Sequence, residues 1–299
     1  MNPQRLSVLR QRAVLIQAAR SFFVGQGFLE VETPIRIPAL APEAYIEPEP
    51  SGDCFLQTSP ELCMKRLLAA GCDKIFQVCK CFRRNERGDR HLPELTMLEW
   101  YRAGADYRAL MADCEALLLA LCPDGRLRGG EGQWLALAPP WPRLTVSQAF
   151  ARYASLPLDQ ALAEGRFEEV MAFEIEPFLG RATPLFLCDY PASQASLARL
   201  DPDHPQVAQR FELYLDGLEL ANGFSELIDA AEQRRRFVEE RELILALGRP
   251  PGPLPEPFLA DLARMPPSAG IALGLDRLVM LFTGSRSIDQ VVAFTPESL

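Results

Sequence analysis

Arginine residues stand at two separated places in this sequence and are suited to binding phosphate. One place is a polar segment with Arg83, Arg84, Arg87 and Arg90, and the other is Arg277, which follows the run G-I-A-L-G-L-D. A guanidinium group matches phosphate oxygens with paired hydrogen bonds, and its charge does not titrate away. Together the two places suit a polyphosphate lying on a sheet. Taken singly, each is more often a solvated turn or a tightly packed strand.

A group of glutamates in the last third of the chain offers a second chemistry. Glu212 and Glu219 lie in one predicted strand, and Glu226 follows the pair Asn222-Gly223. Residues seven apart on an ideal strand face opposite sides, so only a bulge, or a metal reached from two directions, brings Glu212 and Glu219 together. Oxygen ligands suit Mg²⁺, which binds through a few carboxylates plus phosphate. The alternative is that these are surface carboxylates of an acidic protein.

Cysteine and histidine do not indicate a metal site. The eight cysteines include no C-x-x-C pair, and the chain has only two histidines. Cys79 and Cys81 are two residues apart and share one face of a predicted strand. We interpret the cysteines as reduced thiols, and His204, in the polar run D-P-D-H-P, as an exposed turn residue.

The overall composition limits the classes of function. The 299 residues carry 31 basic and 40 acidic side chains, for a net charge of −9. A chain that mainly holds nucleic acid needs a basic face, so this balance argues against that class. No apolar run approaches the roughly 20 residues that span a bilayer, and the N-terminus does not resemble a signal peptide. We therefore expect a cytoplasmic protein that makes no use of the membrane.

Periodicity and turn residues predict the elements that must position these groups. The predicted helices are 4–25, 59–70, 107–121, 146–154, 166–173 and 230–247. The predicted strands are 28–32, 75–82, 94–101, 185–189, 210–220 and 224–228, and the chain closes with strand, helix and strand around 270–293. The Gly- and Pro-rich stretch 123–142 is predicted to be a mobile surface loop. The irregular alternation of helices and strands favours the α+β class.

Five segments, in order, resemble the catalytic domain of class II aminoacyl-tRNA synthetases, nearest the lysyl group. They are GFLEVETPI (27–35), FLQTSPELCMKRLL (55–68), KIFQVCKCFRRNERGDRHLPELTMLEWYR (74–102), RFELYLDGLELANGFSELIDA (210–230) and GIALGLDRLVMLF (270–282). The first, third and fifth resemble motifs 1, 2 and 3, and the others resemble lysyl-specific segments. The resemblance implies one catalytic domain over 1–299, with an antiparallel sheet of six or seven strands flanked by helices and no N-terminal anticodon-binding OB domain.

Three further features narrow the resemblance to truncated paralogues that attach (R)-β-lysine to elongation factor P. The segment YPASQASLARL (190–200) is similar to theirs, and Ser59 and Ala272 stand where lysyl-tRNA synthetases carry Ala and Gly. One methyl group in a close-packed pocket shifts preference by about 1–3 kcal/mol. The implied reaction is ATP-dependent activation of (R)-β-lysine as an aminoacyl-adenylate, followed by transfer to a lysine ε-amine of elongation factor P.

The resemblance also implies roles for individual residues. ATP would be bound by Arg83, Asn85, His91, Leu95, Glu212 and Arg277, and the two arginines, at the α- and γ-phosphates, would be catalytic. Mg²⁺ would be coordinated by Glu212 and Glu219. The amino acid would be bound by Ser59, Glu61, Glu99, Tyr101, Asn222, Phe224, Glu226 and Ala272. A substrate with two ammonium groups and one carboxylate needs a pocket of this largely acidic kind.

Motif 2 departs from the family pattern at three positions. Asn85 replaces the glutamate that contacts the adenine amino group, Leu92 replaces an asparagine, and Leu95 replaces the phenylalanine that stacks on adenine. A shift by one residue would restore the sequence Arg84-Asn85-Glu86 at the expense of the register. Losing an aromatic platform costs about 1 kcal/mol. Adenine recognition is therefore the part of the resemblance that the residues support least.

Two alternative functions and several partners follow from the same resemblance. The alternatives are a stand-alone enzyme that forms lysyl-adenylate from α-lysine, and a degenerate paralogue that binds an amino acid or nucleotide without catalysis. Arg83, Arg277, Glu212 and Glu219 argue against the second, because a pure amino-acid sensor has no need of a triphosphate site. Motif 1 forms the dimer interface in the family, so we expect a homodimer. We expect no tRNA partner, given the net charge of −9.

Overall fold

A computed structural model describes residues 3–299 of the chain. Its helices are α1 Pro3–Gly25, α2 Glu61–Ala69, α3 Tyr107–Leu121, α4 Val146–Tyr153, α5 Leu158–Ala163, α6 Phe167–Val170, α7 Ala230–Ala246, α8 Glu256–Leu262 and α9 Leu275–Thr283. Its strands are β1 Leu29–Glu30, β2 Arg36–Ile37, β3 Pro50–Ser51, β4 Cys54–Leu56, β5 Lys74–Phe82, β6 Glu94–Ala103, β7 Arg126–Arg128, β8 Trp134–Ala136, β9 Arg143–Thr145, β10 Leu185–Pro191, β11 Val207–Leu215, β12 Leu218–Ser225 and β13 Ser268–Gly274. A π-helical turn, Met171–Ile175, continues α6.

The main sheet within residues 3–299 has eight strands in the order β1-β5-β6-β13-β12-β11-β10-β9. The six strands from β5 to β10 in this order pair antiparallel with one another. The short edge strands β1 and β9 pair in parallel and bring the total above the predicted six or seven. β1 falls inside the strand predicted at 28–32, whereas β9 has only three residues and is too short for its alternation to be recognised in the sequence. The α+β class and the antiparallel centre of the sheet are confirmed.

One face of this sheet is apolar and packs against helices. Phe76 on β5, Trp100 on β6 and Ile271 on β13 are buried in the principal core, which α1, α3 and α9 cover. Because side chains alternate along a strand, the neighbours of these residues point to the opposite face. Glu99 and Tyr101 flank Trp100 in the sequence. Because Trp100 is buried on the apolar face, both of these side chains point to the polar face.

The helices on the apolar face form where local sequence and burial agree. In α1, Leu15, Ala19 and Phe23 follow one another at intervals of four residues and are buried. The α3 helix begins at Asp106, whose side chain accepts hydrogen bonds from the backbone N–H groups of Arg108 and Ala109. The predicted range of 107–121 for this helix is confirmed.

The hairpin between β11 and β12 differs from the prediction. The turn lies at Asp216 and Gly217, which have φ angles of 56° and 70°. Two consecutive positive φ angles are the conformation of a tight hairpin turn, which Asp-Gly sequences favour. Asn222 and Gly223 lie within β12 instead of forming the turn. The single strand predicted over 210–220 was therefore wrong, because the Asp-Gly signal inside it was overlooked.

A bulge in this hairpin brings two glutamates to one face. Leu213 pairs with Ala221, but Tyr214 pairs with Glu219, so β12 has one extra residue at this point. A bulge of this kind reverses which residues share a face. Glu219 consequently lies on the same face as Tyr214 and Glu212, on the neighbouring strand.

Two further predictions were wrong. The stretch 123–142 contains the hairpin β7–β8 and carries Leu127, Leu135 and Trp141 into the core, although its Gly and Pro content suggested an exposed loop. The chain closes with a 3₁₀ turn at Ile288–Gln290 instead of a strand. Ile288 and Val291, three residues apart, are buried together, which is helical spacing and not strand alternation.

All eight cysteines have free thiols, and Cys79 Sγ and Cys81 Sγ lie 3.8 Å apart on one face of β5. None of the helices that the structure describes is both long and apolar enough to cross a bilayer.

Candidate active site

The register of the central sheet brings most of the predicted binding residues into two adjacent rows on the polar face. In the first row, Ala272 lies between Glu99 and Asn222, and Asn222 lies beside Glu212. The second row, one pleat away, contains Tyr101, Gly270, Phe224 and Arg210 in the same strand order. Side chains directly opposite each other on neighbouring strands are about 5 Å apart at Cβ. The two rows therefore form one continuous floor across four strands.

A buried lysine ties the first helix of the site to this floor. Lys65 Nζ lies 2.5 Å from Glu61 Oε1, one turn earlier on α2, and 2.5 Å from Glu226 Oε2, just beyond β12. The ammonium group also lies 5.1 Å from the centre of the Phe224 ring, within the range of a cation–π contact. Burial lowers the pKa of Lys65, but the Glu226 and Glu61 carboxylates outweigh it and hold the pKa above its ordinary value. The lysine is therefore charged.

Glu99 is held by two hydroxyl groups. Ser59 Oγ donates to Glu99 Oε1 at 2.5 Å, and the Tyr101 hydroxyl donates to Glu99 Oε2 at 2.9 Å. Ser59 Oγ also accepts the backbone N–H of Glu61 at 3.0 Å, at the start of α2. A Cβ at Gly270 would come within 2.5 Å of both the Tyr101 ring and the Glu226 carboxylate. Glycine is thus required at position 270 for the acidic groups to converge.

The acidic pocket carries more carboxylates than its one lysine can neutralise. Burial, reinforced by Glu61, raises the pKa of Glu99 to about 8. Burial also raises the pKa of Glu226 to about 8, with Lys65 opposing the shift. Glu226 Oε1 is buried and finds no hydrogen-bond donor among residues 3–299. A pocket of this kind holds protons when empty and favours a ligand that brings positive charge.

The paired glutamates of the hairpin lie next to this pocket. Glu212 accepts hydrogen bonds from Arg210 Nη2 at 2.7 Å and from the Tyr214 hydroxyl at 2.6 Å. Burial raises the pKa of Glu212, and the neighbouring Glu219 raises it further. In the described part of the chain, no three acidic, histidine or cysteine side chains form a metal site by themselves. Two carboxylates fit Mg²⁺ only if phosphate oxygens complete its coordination, so these residues suit an ion that arrives with a nucleotide.

Arg277 is oriented by Glu219 on β12 and by His91 in the loop between β5 and β6. Its Nη1 donates to the Glu219 backbone oxygen at 2.9 Å and to Glu219 Oε2 at 3.1 Å, and its Nη2 lies 2.6 Å from His91 Nε2. Desolvation and the Arg277 charge lower the pKa of His91 to about 4. A guanidinium cannot accept a hydrogen bond, so the neutral imidazole accepts it at Nε2. His91 therefore acts as a fixed support for Arg277 and is a poor proton acceptor.

The four arginines predicted as one cluster have different partners. Arg83 has a buried Nε with no hydrogen-bond acceptor within residues 3–299, and Glu86 lies 3.7 Å from its Nη1. Arg84 pairs with Glu47 at 3.5 Å. Arg87 pairs with the C-terminal residues Asp289 and Glu297 at 2.8 Å. Arg90 Nη1 donates to the Gly217 backbone oxygen at 3.0 Å. The charge of Arg83 contributes to lowering the pKa of His91, so these two residues are near each other, and the role of Arg83 at the α-phosphate stays a prediction.

The departures in motif 2 have structural partners of their own. Asn85 has a φ angle of 64°, a conformation that asparagine tolerates better than glutamate, and its Nδ2 donates to Glu47 Oε2 at 2.9 Å. Leu92 is buried in an apolar cluster that includes Leu15 and Val279. Leu95 is half-buried on β6, one residue before Thr96. The Leu92 site is therefore a packing position in this chain.

Comparison with known proteins agrees with this geometry. A sequence model of the family described as tRNA synthetases class II (D, K and N) matches residues 1–298. The chain belongs to the class II tRNA synthetase family.

Within this class II family, similar curated proteins share one description, elongation factor P–(R)-β-lysine ligase. The one from Pseudoalteromonas translucida is 40% identical over 97% of this chain and 95% of its own length. Those from Vibrio cholerae and Klebsiella pneumoniae are 39% and 38% identical, over 97% and 96% of this chain and 95% and 94% of their own lengths.

Sequence reasoning missed three residues of this class II site: Lys65, Arg210 and Glu47. Lys65 follows Glu61 by four residues, the spacing of neighbours on one helix face, and this signal was present. Arg210 precedes Glu212 by two residues on β11, so strand alternation places both on one face. Glu47 lies in a Pro- and Glu-rich loop without periodicity, where no local signal identifies it.

Proposed function

We propose that this protein activates (R)-β-lysine with ATP and transfers it to a lysine ε-amine of elongation factor P. The observation that carries this proposal is the convergence of three carboxylates, Glu61, Glu99 and Glu226, on a floor that continues to Glu212, with Arg277 bound to Glu219 on the neighbouring strand. An acidic pocket beside arginines suits a diamino acid that must present its carboxylate to a triphosphate. The curated relatives, described as ligases of this kind, support the same reaction.

The amino acid is recognised by charge and by shape. Glu226 Oε1, which has no donor in the described chain, is available to an ammonium group, and Glu99 provides a second carboxylate beside Ser59 and Tyr101. The Phe224 ring covers the aliphatic stem. The methyl group of Ala272 lies beside Glu99 in the register and narrows the floor there. We assign to Ser59 and Ala272 the preference for the β-isomer.

The first chemical step joins the substrate carboxylate to the α-phosphate of ATP. A carboxylate oxygen attacks the α-phosphorus, the bond to the β-phosphate oxygen breaks, and pyrophosphate leaves with the electron pair. Arg83 stabilises the charge that develops at the α-phosphate, and Arg277 holds the γ-phosphate. Mg²⁺, bound by Glu212 and Glu219, would supply charge neutralisation for the departing pyrophosphate. The neutral His91 holds the Arg277 guanidinium group in place.

The adenine end is held by motif 2. We assign adenine contact to Asn85, whose side-chain oxygen is able to accept the adenine amino group, and to Leu95. Glu47 fixes the Asn85 side chain through its amide nitrogen. That contact leaves the amide oxygen free to face a base.

The proposal extends to the assembly and surroundings of the protein. We infer a single catalytic domain over 1–299 that forms a homodimer through motif 1, located in the cytoplasm. A monomer in light scattering at micromolar concentration would contradict the dimer. We also infer that tRNA is not an acceptor, since the net charge is −9. Competition by tRNA against elongation factor P at physiological salt would contradict this.

ATP–pyrophosphate exchange tests the first step. We expect strong exchange with (R)-β-lysine and about 5- to 150-fold weaker exchange with α-lysine, because one methyl group in a packed pocket discriminates by about 1–3 kcal/mol. Preference for α-lysine would favour a stand-alone lysyl-adenylate enzyme. Absence of exchange with both would favour a paralogue that only binds its ligands.

A further inference from the structure

Glu43 is a carboxylate in the wall of the amino-acid pocket that takes no part in the adenylation described for this site. It lies in the segment between β2 and β3, and it lines a small cavity together with Ser59 and Glu61. The backbone beside it is clamped, because the Ala44 N–H donates to Glu240 Oε2 at 2.9 Å and the Ala44 oxygen accepts from Arg249. Glu43 is therefore held at a fixed position near the substrate.

A second, larger cavity reaches the same carboxylate from the outside. Its wall is mostly apolar and includes Phe55, Ile46 and the proline-rich run 250–253. Besides Glu43, three charged side chains line it: Arg84, which pairs with Glu47, and Arg249, which donates to the Ala44 oxygen. The two cavities share Leu40, Ala41, Glu43 and Thr58. Glu43 thus stands where a largely apolar channel meets the acidic pocket, and a channel with these walls suits the four methylene groups of a lysine side chain.

The charged groups around Glu43 come from four elements. They are Glu61 on α2, Arg83 after β5, Glu240 on α7 and Arg210 on β11. Burial, reinforced by Glu61, raises the pKa of Glu43 to about 7, and Arg83 opposes the rise. A carboxyl group in this range exchanges a proton readily at neutral pH.

We propose that Glu43 accepts a proton from the acceptor lysine, whose ammonium group arrives through the channel lined by Phe55 and residues 250–253. This inference rests on the proposed function and assigns its second step. The acceptor ammonium gives one proton to Glu43, and the neutral nitrogen attacks the carbonyl carbon of the aminoacyl-adenylate. The bond between that carbon and the phosphate oxygen breaks, AMP leaves with the electron pair, and the second nitrogen proton passes to the departing phosphate. His91, with its pKa lowered to about 4, is a poor candidate for this role.

The test separates the two steps in the variant Glu43→Gln, which keeps the shape and removes the proton acceptor. We expect adenylation, measured by ATP–pyrophosphate exchange with (R)-β-lysine, to change less than threefold. Single-turnover transfer from the preformed adenylate to elongation factor P should fall by about 10²–10⁴-fold, the range for loss of a general base. Hydroxylamine is neutral at pH 7 and needs no proton acceptor, so its capture of the adenylate should be unchanged. Glu49→Gln in the same segment is the matched control.

The pH profile of transfer gives an independent readout. In the wild type the transfer rate should rise with pH through a limb near pH 7, as Glu43 ionises. In Glu43→Gln this limb should disappear, and in Glu43→Asp a limb should remain at a reduced rate.

A filled channel tests the path of the acceptor. Gly252 has ordinary backbone geometry, and a Cβ there would lie 3.6 Å from the Phe55 ring. Gly252→Leu should therefore occupy the channel and reduce transfer to elongation factor P at least tenfold, while leaving exchange and hydroxylamine capture intact. An equal loss of exchange and transfer in this variant would overturn the path.

The outcomes distinguish a failure of the Glu43 assignment from a failure of the proposed function on which it rests. If the wild type fails to modify elongation factor P, the proposed function is wrong and the assignment of Glu43 fails with it. If the wild type transfers and Glu43→Gln transfers equally fast, only the assignment of Glu43 is wrong. If Glu43→Gln, folded by circular dichroism, loses exchange as much as transfer, Glu43 binds the amino acid instead, and the assignment is again overturned.

Discussion

The two ends of the proposed site, which we assign to the amino acid and to the nucleotide, are organised in different ways. At the amino-acid end, the Lys65 side chain is 1% exposed, and its partner Glu226 is fully buried. At the nucleotide end, Arg83 and Arg277 retain 26% and 19% exposure, and Glu219 retains 33%. The first end is a low-dielectric cluster with paired charges. The second is a partly hydrated array in which arginines rest on side chains and backbone oxygens.

This difference explains where the chain departs from its family pattern. Two of the departures, Asn85 and Leu95, lie at the nucleotide end, where water can satisfy polar groups that a substitution leaves unpaired. At the buried end, replacing Glu61 and Glu226 would leave Lys65 as an unpaired buried charge, which costs several kcal/mol. Burial therefore makes this charged cluster intolerant of change, although neighbouring uncharged positions such as Ser59 and Ala272 differ from lysyl-tRNA synthetases, and exposure leaves the nucleotide end more tolerant.

Removal of the buried lysine should have the largest effect. Lys65→Met leaves Glu61 and Glu226 without their cation, and we expect a loss of about 3–5 kcal/mol in the free energy of unfolding. Urea denaturation followed by circular dichroism measures this loss. The matched control is Lys80→Met, which breaks the exposed Lys80–Glu94 pair of 3.0 Å and should cost less than about 1 kcal/mol. Equal losses in both variants would remove the contrast between the two ends.

Removal of Arg277, the arginine that we propose holds the γ-phosphate, should have the next largest effect. Arg277→Ala is expected to reduce ATP–pyrophosphate exchange by about 10²–10³-fold, equivalent to about 2.7–4 kcal/mol of transition-state stabilisation. Because Arg277 is partly hydrated, the folding free energy should change by less than about 1 kcal/mol. Arg264→Ala, on an exposed arginine, should leave exchange unchanged. A large drop in the free energy of unfolding of Arg277→Ala would mean that the nucleotide end contributes as much to folding stability as the amino-acid end does.

Removal of the Ala272 methyl group from the floor of the pocket tests whether this group selects the lysine isomer. Ala272→Gly should shift the ratio of exchange with α-lysine to exchange with (R)-β-lysine by about 1–3 kcal/mol in favour of α-lysine. The control Ala263→Gly, at the end of α8, should leave the ratio unchanged. An unchanged ratio in Ala272→Gly would show that this position does not select the isomer.

The carboxyl group of Glu99 should give the smallest effect per pH unit. The folded pKa of Glu99 is about 8, above the ordinary value of 4.5, so the folded protein holds more protons than the unfolded chain between these values. The free energy of unfolding should therefore fall as pH rises from about 5 to 8, by at most about 1.4 kcal/mol per pH unit for this group. Urea unfolding at several pH values measures the slope. In Glu99→Gln the slope should become shallower, and an unchanged slope would contradict the assignment.

Local patterns predicted a large share of this fold. The helix at 107–121 and the strands near 75–82 and 94–101 carry their own periodicity and caps, and the structure contains them with small shifts of their ends. The prediction failed at the hairpin β7–β8 and at the closing segment. In β7–β8, burial by distant elements overrides a composition rich in Gly and Pro, and in the closing segment Ile288 and Val291 are buried at helical spacing instead of strand alternation.

The candidate site also has features that the sequence predicts and features that it does not. The sequence by itself determined the α+β class, the family and the identities of the chemical groups, because motifs are short and contiguous. Only the tertiary structure decided that Arg84 pairs with Glu47, that a bulge puts Glu219 on the same face as Glu212, and that Lys65 bridges Glu61 and Glu226. These facts depend on the register between strands and on contacts between residues far apart in the chain. A one-residue change of register reverses every side chain on a strand, and no local pattern records it.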